Sequence, residues 1–165
     1  MGGPLAIDLD GALGDTNPLW RAFVDDAARR FSSIARLDPA ALPPDRPAQA
    51  AALDRWARRG VGDWRRALER FCEDHAPIYL RPNGRANTAV RALAAAGRRV
   101  GVFTDAPEPL ARVALAHLGL DRDVQVLETG ERARERLLAR LGSRAEEAAT
   151  VDELLAVARA SAGSG

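Results

Sequence analysis

Lysine is missing from this chain of 165 residues: all 24 of its basic side chains are arginines, so no compact ε-ammonium group is available to any site it builds. Cysteine is almost missing as well. The single Cys72 excludes an intramolecular disulfide and a cysteine metal cluster, and its neighbours Leu68 and Phe71 mark it as a buried helical thiol rather than a nucleophile. No apolar run approaches the roughly 18 residues that cross a bilayer, and the N-terminus lacks the basic-then-apolar pattern of a secretory leader. A cytoplasmic protein is expected. An excess of one charge sign is lacking too: 24 basic against 23 acidic residues leave a net +1, too little to advertise nucleic acid or an acidic membrane surface as a partner. No internal repeat or long low-complexity segment is present, and nothing in the sequence fixes an oligomeric state.

What the chain does have is 47% hydrophobic content, enough for one good core and a small appended module but not for two full domains. Residues Pro4–Leu9 read as a short buried strand. The next strand-like segments are Arg98–Asp105 and Asp123–Glu128, with a last short one at Glu147–Val151. Helical patterns alternate with them. Ala86, Val90, Leu93 and Ala94 recur at helical spacing up to Gly97; a second helix opens at Pro107 and stops at Gly119; "ERARERLLARLG" stops at Gly142. "TVDELLAVARA" predicts a final helix with Thr150 and Glu153 as its capping box, and the tail "SAGSG", 161–165, reads as flexible. Strands alternating with helices of this length predict βαβ units: an α/β fold with a doubly wound parallel sheet covered on both faces.

Residues 17–79 differ in carrying only helical periodicity. Asn17 is a candidate N-cap with Pro18 at the first helical position, and Trp20, Phe23, Val24, Ala27, Phe31 and Ile34 form one apolar stripe. The Pro-rich "LDPAALPPDRP" interrupts the pattern, and two more helices are predicted around Leu53–Trp56 and Trp64–Phe71. All three tryptophans fall here. The division expected is a core formed by 1–16 and 80–165, with 17–79 as a small inserted helical module that has its own Trp-rich core. Trp20, Arg21, Trp64 and Arg65 either line a cleft or pack that module.

The stretch "LAIDLDGALGDT", Leu5 to Thr16, is a costly place for negative charge, because an apolar strand runs straight into Asp8, Asp10 and Asp15. Strand alternation projects Asp8 and Asp10 the same way at the C-terminal edge, where open parallel sheets bind their ligands. Two carboxylates so placed repel, and either a proton or a cation relieves them. Gly11 lets the backbone turn and offer N–H groups to an anion. A plain strand end followed by an acidic turn accounts for the same residues on spacing alone.

"IDLDGALGDT" resembles the first motif of the haloacid dehalogenase-like hydrolases, Asp-x-Asp-Gly-Thr-Leu-x-Asp-Thr in its phosphatase form, with Ala12 where Thr is usual. "VGVFTDAPEPLARVALAHLGL" resembles the second motif, an apolar strand ending in Thr or Ser, with Thr104 in that place. The helical insert between them lies where that family carries its small cap, so the resemblance spans nearly the whole chain in order. It implies a phosphatase of small phosphorylated metabolites: Asp8 as nucleophile forming an aspartyl-phosphate, and Asp10 as general acid and then base. It further implies a Mg²⁺ held by Asp8, the backbone carbonyl of Asp10 and a later acid, with the Thr104 hydroxyl and N–H groups around Gly11 and Asp105 holding phosphoryl oxygens. A turn or helix-cap hydroxyl is an equally ordinary role for Thr104.

The departures from the family pattern are specific. The third motif is a Lys, and this chain offers only Arg132 or Arg134 near the expected place. The fourth motif, Gly-Asp with a second Asp four residues on, is missing. "ATVDELLAVARASAG" supplies only Asp152 and Glu153, which the capping box also explains. Weak or substrate-dependent Mg²⁺ binding through Asp8, Asp10 and Asp152 is the expectation. A catalytically silent relative, retaining the fold as a binding or partner module, is the alternative. A receiver-type phosphoacceptor domain fits the long helical insert poorly.

Overall fold

A computed structural model describes residues 2–163. The chain builds a four-stranded parallel sheet in the order β3-β2-β1-β4, from β1 (Leu5–Asp8), β2 (Val100–Thr104), β3 (Val126–Thr129) and β4 (Glu146–Ala148). Strand β1 is therefore internal, paired with β2 through Leu5 opposite Val100 to Asp8 opposite Phe103, and with β4 on its other edge. Seven α-helices are described: α1 (Asn17–Arg30), α2 (Arg46–Ala57), α3 (Trp64–Tyr79), α4 (Gly84–Ala95), α5 (Glu108–Leu118), α6 (Ala133–Leu141) and α7 (Val151–Ala162).

Side chains leave the sheet with a period of two, and each face finds helices. Leu5, Ile7, Val100, Val102 and Ala148 point into a large apolar cluster that includes Val90 and Leu93 of α4, Leu110 of α5 and Leu154 of α7. Ala6, Phe103 and Val126 point the other way, against Ala133, Leu137 and Leu141 of α6. Gly101 belongs to this second face for a packing reason: a Cβ there would lie 2.6 Å from Leu137 Cδ1, so only a bare backbone lets α6 sit so close. The sheet is doubly wound, as the alternation of strands and helices predicts.

Local chemistry sets the element ends. Asp45, Asp63 and Asn83 accept backbone N–H bonds at the starts of α2, α3 and α4. Gly119 closes α5 in the left-handed region at φ 69°. Thr150 and Glu153 form the expected capping box on α7. Strand β4 is shorter than the predicted Glu147–Val151 because Thr150 is spent on that cap. Thr16, not Asn17, is the N-cap residue of α1; Asn17 is its first helical residue and donates to Asp15 Oδ1. Helix α7 extends through Ala162, so part of the tail expected to be flexible is helical, while 164–165 lie outside the described residues.

The insert contributes α1, α2 and α3. Trp20, Phe23, Trp64 and Phe71 stack in tilted and edge contacts with centroids 5.7–6.3 Å apart. The three indole N–H groups donate to Gln49 Oε1, the Ala35 carbonyl and Asp54 Oδ1. The separate Trp-rich core expected from the sequence is not what forms. Helix α3 packs on α5 as well as on α1, and the aromatic cluster is continuous with the apolar core beneath the sheet. Among the described residues no helix is long and apolar enough to cross a membrane.

Candidate active site

Strand β1 ends at Asp8, and the next five residues, Leu9–Leu13, wind into a single π-helical turn. Strand alternation is thus not what brings Asp8 and Asp10 together. Asp8 Oδ1 caps the turn, accepting from the backbone N–H of Asp10 at 3.0 Å and of Gly11 at 3.4 Å, while Oδ2 accepts neither bond. Half-burial is the largest influence on the Asp8 carboxyl and pushes its pKa up, with the Asp10 and Asp105 carboxylates adding to the rise; the two amides oppose it.

Gly11 faces a different constraint from the one expected. Its φ is not positive, but a Cβ there would lie 2.0 Å from the Ala149 carbonyl oxygen, so the glycine lets the turn pack against the chain entering α7. Its N–H donates to Asp8 Oδ1 at 3.4 Å.

Asp10 is the most heavily bonded group of the site. Oδ1 accepts from the Thr16 N–H at 2.9 Å and the Thr16 hydroxyl at 2.5 Å; Oδ2 accepts from the Thr104 hydroxyl at 2.7 Å and from Arg46 Nη2 at 2.7 Å. Burial, the largest single influence, raises this carboxyl, but Arg46, both hydroxyls and the Thr16 amide together hold it below the ordinary carboxylate range. Asp10 is therefore ionised and acceptor-only.

Thr104 ends β2 beside the end of β1 and is buried; its hydroxyl also accepts from the Ala106 N–H at 3.1 Å. The turn bond expected of Thr104 is formed, and the same residue lines the cavity beside Asp8 and Asp10. Asp105 follows it, and its Oδ1 accepts from Arg46 Nε at 2.7 Å.

Sequence reasoning missed Arg46. It sits at the start of α2, behind the N-cap Asp45 and ahead of Pro47, and is only 5% exposed. Its guanidinium donates to Asp105, to Thr16 Oγ1 at 2.7 Å and to Asp10, with a longer contact to Thr104 Oγ1 at 3.4 Å. The only signal in the sequence is its place in the Asp-Arg-Pro start of a helix, and that signal says nothing about burial. Thr16, the last residue of the first motif, was likewise not singled out.

Asp8, Asp10, Arg46, Thr104 and Asp105 line one cavity of about 440 Å³, together with Asn17, Phe103, Gly130, Arg132, Ala133, Arg134 and Glu135. Both arginines weighed as substitutes for the family lysine are thus at its wall. Arg132 adopts φ 55°, rare for a side-chain-bearing residue, and pairs with Glu135; Arg134 is bidentate to Glu147 at 2.6 and 2.7 Å. Trp20 and Trp64 are buried packing residues, and Arg65 lies over Trp64 at 4.3 Å and pairs with Asp54. Arg21 borders a separate groove with Pro39 and Leu42.

The carboxylates do not assemble the ligand set expected for Mg²⁺. Asp152 is exposed in the first turn of α7 and does not line the cavity. Among the described residues no three His, Cys, Asp or Glu side chains gather as a metal cluster, and without Asp152 the expected set keeps only the Asp8 carboxylate and the Asp10 backbone carbonyl. The residues present do not fit the ion.

The fold has counterparts. The structure of CbbY from Rhodobacter sphaeroides in complex with phosphate aligns with a TM-score of 0.62 at 17% identity, covering 89% of this chain and 77% of that one. A putative beta-phosphoglucomutase from Thermotoga maritima gives 0.52 at 17%, covering 95% and 82%, and a predicted phosphoglycolate phosphatase from Haemophilus somnus 129PT gives 0.52 at 16%, covering 79% and 63%. At such identities the likeness establishes the fold alone. Comparison with curated proteins returned no match. The family model of the haloacid dehalogenase-like hydrolases, however, matches residues 5–164, taking in the acidic turn after β1, Thr104 at the end of β2 and the helices between them. On that match, and on a parallel sheet whose internal strand β1 leads through Asp8 into the turn that carries Asp10, the chain belongs to the haloacid dehalogenase-like hydrolases.

Proposed function

We propose that the protein is a phosphatase of small phosphorylated metabolites working through an aspartyl-phosphate on Asp8. The observation that carries this reading is the meeting of Asp8, Asp10 and Thr104 at the C-terminal ends of two adjacent central strands, on the wall of one cavity. Oδ1 of Asp8 is pinned by two amides, which fixes the carboxylate while the other oxygen attacks phosphorus. The P–O bond to the leaving group breaks as the P–Oδ bond forms, and the leaving oxygen takes a proton from Asp10. Water then attacks phosphorus, passes a proton to Asp10 and releases phosphate and the Asp8 carboxylate.

Asp10 must carry a proton for the first step, yet four donors hold it ionised in this arrangement. Its contact with Arg46 therefore loosens as substrate arrives. Helices of 17–79 act in this reading as a cap over the cleft, joined to the catalytic end by Arg46 and Asn17. CbbY, solved with phosphate bound, supports phosphate as the group recognised. No step is assigned to Mg²⁺, since the donor set does not fit it.

The second reading, a silent relative serving as a binding module, is favoured by one observation: the fourth-motif acids are absent, and among the described residues no group of three acids assembles as a metal site in their place. Purified protein incubated with sugar phosphates and nucleotides, with and without Mg²⁺ and beside Asp8→Asn, separates the two. Phosphate release by wild type and none by the variant supports the phosphatase; equal release by both is contamination and leaves the silent reading standing.

A further inference from the structure

We propose that Arg46 is the cation of this site, supplying from the insert the positive charge that meets a phosphoryl group at Asp8 and doing so without a divalent ion. The inference rests on the phosphoryl-transfer reading above. Three observations carry it.

The first is burial: a guanidinium only 5% exposed is rare and costly unless its N–H groups are satisfied, and here they go to Asp10, Asp105, Thr16 and Thr104, all at the catalytic end of the sheet. The second is the balance of charge around the cavity. Its acids are Asp8, Asp10, Asp105 and Glu135, and its other arginines, Arg132 and Arg134, have side chains 72% and 55% exposed and are paired with Glu135 and Glu147. Arg46 is the cation held inside. The third is the donor set: the further acid near Asp8 and Asp10 is Asp105, and it is already paired with Arg46, so a divalent ion finds an incomplete shell, whereas a planar guanidinium matches phosphoryl oxygens in pairs. When an anion arrives, Arg46 N–H groups exchange Asp10 Oδ2 and Thr104 for phosphoryl oxygens. That exchange frees Asp10 to hold the proton destined for the leaving oxygen, so one movement binds the anion and arms the acid.

The test is calorimetric titration of the full chain with inorganic phosphate, in EDTA and again in Mg²⁺. Wild type binds phosphate in EDTA, and Mg²⁺ shifts its affinity by less than about threefold; Arg46→Gln loses about tenfold or more in EDTA, as expected for a charge-assisted pair. Should Arg46→Gln fail to fold, Asp105→Asn decides. Removing a competing carboxylate from the guanidinium tightens metal-free phosphate binding severalfold, whereas a metal-dependent site gains no metal-free binding from it. Wild-type binding that appears only with Mg²⁺ overturns the role of Arg46 and leaves the phosphatase standing. No phosphate binding in either condition removes the phosphatase reading and this proposal with it.

Discussion

Asp10 and Arg46 are 36 residues apart in the chain, yet Arg46 Nη2 donates to Asp10 Oδ2 at 2.7 Å in the floor of the cleft. The contact ties the second helix of the insert to the turn after the central strand. It also fixes the protonation of Asp10, since a carboxylate facing a desolvated guanidinium and two hydroxyls stays ionised.

Acid stability follows from that contact. The folded-state pKa of Asp10 lies below its unfolded value of about 3.9, so the stabilisation is complete above the ordinary carboxylate range and is lost as pH falls through the depressed value. The groups that face Asp10 are Arg46, Thr16 and Thr104, with Asp8 and Asp105 close by. Arg46→Gln is expected to be less stable than wild type by about 1–3 kcal/mol at neutral pH. The gap should narrow as pH falls below the unfolded value of about 3.9 and on through the depressed folded value, where Asp10 takes up its proton in wild type as well. Denaturant titrations at several pH values measure it, and a gap that does not narrow at all on acidification below the ordinary carboxylate range contradicts the pairing.

Asp8 has the opposite sign. Half-burial and two neighbouring carboxylates disfavour its charge, so the folded state is penalised when Asp8 ionises. Asp8→Asn keeps an oxygen for the Asp10 and Gly11 amides and removes the charge. After allowance for solvent screening at the open cleft, Tm should rise by roughly 1–3 °C at neutral pH. Differential scanning calorimetry on the two proteins checks this; a lower Tm in Asp8→Asn would count against this electrostatic account of Asp8.

Two glycines separate backbone from side-chain constraint. At Gly11 an added methyl meets the Ala149 carbonyl at 2.0 Å, and neither the turn nor the entry to α7 yields without moving the catalytic turn. At Gly101 it meets Leu137 Cδ1 at 2.6 Å, the end of a side chain that can change rotamer. Gly11→Ala is expected to cost about 3 kcal/mol or more and Gly101→Ala about 1–2 kcal/mol. Urea titration of both variants orders them, and the reverse order is incompatible with the packing described.

The alternation of strands and helices was legible because each apolar run ends at a Gly, Pro or capping residue whose chemistry is local. Asp8, Asp10 and Thr104 were legible for the same reason, each lying beside an apolar strand at its C-terminal end. The strand end itself was misjudged: Asp8 leaves the ladder to cap the turn, so β1 stops short of Leu9, and Gly11 answers to a carbonyl from 149 that no local pattern reveals. Arg46 was not legible at all. Its importance comes from four partners in two segments distant in sequence, and an arginine behind an N-cap looks like any solvated helix start. The continuity of the tryptophan cluster with the main core was hidden for a related reason, because a stripe at helical spacing does not say which body it packs against.

The central claim is that Asp8 becomes covalently phosphorylated, and the most direct measurement is peptide mass spectrometry after acid quench. Wild type and Asp8→Asn are incubated with acetyl phosphate, a small phosphoryl donor, in EDTA and in Mg²⁺, then digested. The account predicts an added phosphoryl group on the wild-type peptide carrying Asp8, lost on treatment with hydroxylamine and absent from Asp8→Asn. An unmodified Asp8 peptide under both conditions, in protein shown by calorimetry to bind phosphate, would contradict it.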